Sequence, residues 1–99
     1  MVAVASPATL SLAKRAGQLV KMYFTYVLKS KKDNKLYIGC TNNIKVRIEK
    51  HNKGQVMSTK DRRPLELLYF EACLNKQSAY KREKYFKTGF GRKFLKTRI

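Results

Sequence analysis

The run Tyr23-Phe24-Thr25-Tyr26-Val27-Leu28, the break Lys31-Lys32-Asp33-Asn34 and the resumption Leu36-Tyr37-Ile38-Gly39 decide the fold. β-Branched and aromatic residues on both sides of a short polar break predict a β-hairpin. Tyr26 and Tyr37 fall on its adjacent strands, where their rings can share one face. Downstream of Gly39, Asn42 or Asn43 can cap a helix that runs to about Asn52, with Ile44 and Ile48 on one stripe and Gly54 closing it. A basic loop follows over residues 55–63. Pro64 opens a third strand, Leu65 to Cys73, in which Leu65, Leu67 and Tyr69 alternate with Glu66, Leu68 and Phe70, as in a half-buried strand. Asn75 caps a second long helix to Thr88, Gly89 and Gly91 end it, and a short basic helix from Arg92 to Thr97 finishes the chain. The order ββαβαα predicts an α+β fold, a small three-stranded antiparallel sheet flanked by helices.

Working outward, residues 22–99 make one domain and residues 1–21 read as an N-terminal extension. The extension has no acid, shows a weak helical pattern between Leu10 and Val20, and carries its bases Lys14 and Arg15 after the apolar part. That order does not suit a secretory signal. An organelle transit peptide or a start codon placed too early both fit, and the second is favoured because Met22 directly precedes the hairpin.

The chain's 99 residues, 43% of them hydrophobic, suffice for one modest core. Twenty-three Lys and Arg against six acids give a formal charge of +17. A surface chosen only for solubility mixes its signs, so the imbalance points to a polyanionic partner. No apolar run approaches the roughly 20 residues that span a bilayer, and the bases are spread from Lys14 to Arg98 rather than gathered on one amphipathic helix, so no membrane partner is expected. Cys40, Cys73 and the lone His51 are too few for a structural zinc site; reduced thiols and a cytoplasmic location are expected.

Walker loops, nucleotide-binding glycine motifs and Ser-His-Asp arrangements are absent from the sequence. What remains is Tyr26, Tyr37, Arg47, His51 and Glu83. Arg47 and His51 are four apart in the first helix and so share a face. An Arg fork offers paired donors to phosphate, and a neutral His can accept a proton. Glu83, the only acid in the last 28 residues, stands among Lys81, Arg82 and Lys84, where it can bind Mg²⁺ or pair with Lys87 one turn on.

Taken in order, Tyr26, Tyr37-Ile38-Gly39, Arg47, His51-Asn52-Lys53-Gly54, Thr59-Lys60-Asp61-Arg62-Arg63-Pro64 and Arg82-Glu83-Lys84 resemble the GIY-YIG nuclease family, from Met22 to the end of the chain. The likeness is to its single-domain branch, related to the N-terminal endonuclease domain of the bacterial excision-repair subunit. The resemblance implies a divalent-metal-dependent endonuclease, with Tyr26 and Tyr37 as paired active-site tyrosines, Arg47 as phosphate clamp and Glu83 as ligand of Mg²⁺ or Mn²⁺. It implies that His51 assists a tyrosine, with Tyr26 favoured as the base. Gly39 would allow close approach, and Lys60, Arg62, Arg63, Arg82, Lys87, Arg92 and Lys93 would meet nucleic-acid phosphates, most plausibly of DNA. The implied role is structure-directed cutting in repair or processing. A non-catalytic basic nucleic-acid-binding module, ribosome-associated or architectural, accounts for the charge equally well and leaves the five site residues unexplained.

The charge alone generates a measurable expectation. Affinity for duplex DNA should fall with salt on a log–log slope of about −0.9 per phosphate neutralised, with several phosphates involved. A slope near zero in a salt titration followed by fluorescence anisotropy would remove the electrostatic partner.

Overall fold

The computed structural model describes residues 21–99 continuously, together with the dipeptides Val2–Ala3, Lys14–Arg15 and Gln18–Leu19. These dipeptides are β1, β2 and β3; the remaining strands are β4 (Tyr23–Ser30), β5 (Leu36–Thr41) and β6 (Leu65–Cys73). The helices are α1 (Ile44–Asn52), α2 (Lys76–Phe86) and α3 (Gly89–Lys96), with a 3₁₀ turn at Lys60–Arg62. The main sheet is antiparallel in the order β1-β6-β4-β5, so the three long strands form the expected sheet and Val2–Ala3 adds a short edge beside Phe70 and Glu71. β2 and β3 pair with each other. The rest of the extension lies outside the described residues.

The hairpin closes where Ser30 N–H donates to the Lys35 carbonyl and Asn34 N–H to the Ser30 carbonyl, at 3.0 and 2.8 Å. Asn34 takes φ 60°, a left-handed conformation that Asn tolerates. Facing strands match Tyr26 with Gly39 and Leu28 with Tyr37, so those four residues share a face of the sheet. Phe24, Tyr26 and Leu28 point to that face, where α1 lays Ile44 and Ile48; Thr25 and Val27 point to the other, covered by α2 and α3. The central strand β4 is therefore buried on both sides. Each large apolar side chain sealed this way contributes about 1.5–3 kcal/mol.

β6 departs from the simple alternation expected of it. A bulge leaves Leu68 without a partner, since Val27 faces Tyr69 and Leu28 faces Leu67. One extra residue switches the face. Leu65 and Leu67 thus join Phe70 and Ala72 in the α1-side core, while Leu68 and Tyr69 pack on the side of Phe86 and Leu95. The strand is covered on both faces rather than half-buried.

The second correction concerns the glycines after α2. That helix ends at Phe86, and Gly89 begins α3 instead of terminating its predecessor. Thr88 is the cap: its hydroxyl accepts from Gly91 N–H at 3.1 Å. Gly91 sits inside α3 because a Cβ there would collide with the Tyr85 carbonyl and the Phe86 Cα, so its absence lets the two helices touch.

Gly39 has a similar reason. A Cβ at this position would stand 2.5 Å from Tyr26 Oη and 2.6 Å from its Cζ, because the phenol lies flat across the glycine. Gly39→Ala should lower stability by about 1–3 kcal/mol, the usual cost of overpacking, and push the phenol off its position. Chemical denaturation reads the first effect; a variant as stable as its parent would show that the ring is not so confined.

Candidate active site

Tyr26 comes from the middle of β4 and is 0% exposed. Its hydroxyl lies 2.8 Å from His51 Nε2, and Arg47 Nε donates to the same oxygen at 3.3 Å. α1 delivers both partners from one face, the four-residue spacing doing what its geometry requires. On the far side of the imidazole, Nδ1 is 2.6 Å from Thr59 Oγ1. Nε2 is the only acceptor within reach of the phenol proton, because Arg47 is a donor; this assigns the ring proton to Nδ1, where Thr59 accepts it. Burial, then the Arg47 charge, pushes the ring down to about 4, so His51 is neutral at physiological pH.

Burial also pushes the Tyr26 phenol up to about 12, against the lowering hydrogen bond from Arg47. A sealed phenol with so weak an acidity stays protonated near neutrality. Tyr37 is half-buried, with its ring 6.3 Å from that of Tyr26 and 5.0 Å from that of His51, edge to face with the latter. The Arg47 guanidinium lies beside it.

Tyr37 and Glu83 line one cleft of about 700 Å³ that crosses the exposed edge of β5, with Ser58, Lys35, Lys87 and Arg92 around them. Tyr26 and His51 are sealed off from solvent, whereas Arg47 is only partly buried. Glu83 reaches the tyrosines round the sheet edge, because α2 packs on the face opposite α1. Its carboxylate holds Lys87 at 2.9 Å, with the glutamate side chain 24% and the lysine 56% exposed. Among the described residues there is no group of three or more His, Cys, Asp or Glu that could hold a metal. One carboxylate on the wall of a cleft flanked by cations still suits Mg²⁺, which commonly takes one or two carboxylates and completes its shell with water and substrate phosphate.

The expected phosphate contacts divide by their present partners. Lys60, Arg92 and Lys93 are exposed, and Arg92 lines the cleft. Arg62 bonds Asp33 at 3.1 Å, and Arg63 donates to the Lys60 carbonyl at 2.8 Å. Arg82 is committed elsewhere: its fork grips Glu71 at 2.8 and 2.7 Å and its guanidinium lies 4.7 Å over Phe86, on the face away from Tyr26. Gly39 is covered by the Tyr26 ring.

Two site-building residues carry no signal of their own in the sequence. Thr59 fixes the imidazole, and Asn52 clamps α1 to β6 by accepting from Leu65 N–H and donating to its carbonyl, at 2.8 and 3.1 Å. Thr59 does lie in the quoted loop motif, eight residues after His51. Cys40 offers no nucleophile, since burial pushes its thiol up to about 12.

His51 makes stability depend on pH in a defined window. The folded ring, at about 4, binds its proton less readily than an unfolded histidine at 6.5, so stability is full above pH 6.5 and is lost as pH falls toward 4. His51→Gln should flatten that part of a melting-temperature profile. A parent and variant with parallel profiles over this window would contradict a buried neutral imidazole.

Comparison with known proteins bears on the same elements. Residues 22–96 match the family described as the GIY-YIG catalytic domain. UPF0213 protein CPE1444 of Clostridium perfringens is 46% identical over 67 residues, which cover 67% of this chain and 71% of that protein. A UPF0213 protein of Pediococcus pentosaceus is 46% identical over 70 residues, covering 70% and 73%. The solution NMR structure of UPF0213 protein BH0048 from Bacillus halodurans is 28% identical, covers 77% of this chain and 83% of that one, and superposes with a TM-score of 0.49. The family match takes in the hairpin, the helix of Arg47 and His51 and the helix of Glu83, and the chain belongs to the GIY-YIG family of nuclease domains.

Proposed function

We propose that this protein is a divalent-metal-dependent endonuclease that hydrolyses DNA phosphodiester bonds and selects branched, nicked or flapped DNA in repair or processing. The observation that carries the reading is the cleft at the β5 edge that Tyr37 and Glu83 both line, with cations around it. Such a cleft can receive a phosphate and one attacking water. The free Cys40 and Cys73 agree with a reducing cytoplasm.

The roles follow from position. Tyr37, on the cleft wall, is the group that meets the attacking water and accepts its proton. Tyr26, sealed behind it, holds the Arg47 guanidinium through its hydroxyl, and His51 and Thr59 hold Tyr26. Arg47 clamps the phosphate and opposes charge developing on its oxygens. Glu83 would hold Mg²⁺ or Mn²⁺, which supplies Lewis-acid polarisation of the phosphoryl oxygen. Lys87 is then released to the backbone of the nucleic acid.

Four variants separate these roles in gel-shift affinities with chelator beside single-turnover cleavage in Mg²⁺. Glu83→Ala should leave metal-free affinity unchanged or slightly tighter and cut the rate by several orders of magnitude. Arg47→Ala should lower both, since a phosphate fork acts in ground and transition states. Tyr37→Phe should spare affinity and stability and slow cleavage about 10²–10⁴-fold, the range of general-base catalysis. Tyr26→Phe should instead destabilise the fold by about 1–3 kcal/mol, because it strips a buried imidazole of its partner. Cleavage by Glu83→Ala at the parental rate would end the metal assignment, and with it most of the case for an enzyme over a binding module.

A further inference from the structure

A second pocket, of about 260 Å³, opens where β4 begins and β5 ends, between Tyr23 and Tyr80, with Cys40 and Thr41 on its wall. Each tyrosine carries its own cation. Lys21 Nζ sits 5.8 Å from the Tyr23 ring centre and Lys76 Nζ 5.7 Å from that of Tyr80. Both lysines line the pocket. The floor is rigid, because Thr25 Oγ1 and Cys40 Sγ both donate to the Ala79 carbonyl, at 2.8 and 3.2 Å. Neither tyrosine belongs to the active-site network, and Tyr80 is 46% exposed, which the core does not require.

Paired aromatic faces with a cation on each are the chemistry that receives a nucleobase and its phosphate together. The space falls below the roughly 300–1,000 Å³ of sites for larger organic ligands, which suits one planar group. Thr41 lies three residues from Ile38 of the cleft on the same strand, about 10 Å away. We infer that this pocket takes one unpaired nucleotide of the nucleic acid bound in the cleft, its base stacked on Tyr80 and its phosphate met by Lys21 and Lys76. The inference rests on the nuclease reading for its ligand. It adds a source of preference for branched over blunt DNA, since a paired base cannot leave its stack to enter without cost.

Fluorescence anisotropy of the full chain in chelator tests it, with a blunt duplex, the same duplex bearing a single-stranded arm, and arms in which one abasic nucleotide is moved position by position. The parent should lose about tenfold in affinity when the abasic position is the one that enters the pocket. Tyr80→Ala should lose the same tenfold on the intact arm, lose nothing further on that abasic arm, and bind the blunt duplex as the parent does; Tyr80→Phe should restore the stack. Lys76→Ala should flatten the salt slope on the arm by about 0.7, the single-strand value for one phosphate. Parental binding of the arm by Tyr80→Ala, or an abasic loss that persists in that variant, overturns the pocket while duplex binding keeps the nuclease reading alive. A parent that binds neither DNA removes both.

Discussion

The 2.8 Å hydrogen bond between Tyr26 Oη and His51 Nε2 joins the centre of the sheet to the helix laid over it, and the surrounding residues are placed by it. Gly39 must lack a side chain because the phenol crosses it. Thr59 must turn inward to hold the other side of the ring, which brings the basic loop against α1. Arg47 reaches back to the same oxygen and is thereby aimed beside Tyr37. Buried polar groups are costly unless paired, and among the described residues no buried side-chain nitrogen or oxygen lacks a partner, so the network is held firmly in place.

The same constraint divides the labour between the tyrosines. Burial that makes Tyr26 a firm strut raises its pKa to about 12 and shuts it off from water. Tyr37, two residues before Gly39 on an edge strand, keeps one side toward the cleft. An edge strand is where a sheet can be approached from both faces. Glu83 on α2 and Arg47 on α1 stand on opposite sides of the sheet, and in the proposed function they would meet one phosphate at the β5 edge.

Much of this was legible in the residues. The hairpin announced itself by a β-branched and aromatic run on either side of a polar break, and the i, i+4 spacing of Arg47 and His51 put both on one helix face, which the structure turns toward Tyr26. The bulge at Leu68 was hidden, since Leu65 to Phe70 alternates well enough in either register and only the pairing with Val27 and Leu28 decides. Gly89 and Gly91 looked like a helix stop, because glycine is a common one. The requirement that α2 and α3 touch is a tertiary fact with no local trace. Arg82 showed the same limit: its charge counts toward the basic total, yet Glu71 of β6 and the Phe86 ring one turn on in the same helix occupy it. Which tyrosine is sealed could not be read either, as both stand in apolar strands.

The account stands or falls on whether the cleft between Tyr37 and Glu83 breaks phosphodiester bonds. The direct measurement incubates the purified protein with end-labelled branched and linear DNA in Mg²⁺, in Mn²⁺ and in chelator, and resolves the products by length. Cleavage of the branched DNA at defined positions in either metal, absent in chelator, is the predicted result; tight, salt-sensitive binding with no cutting under any of these conditions would contradict it.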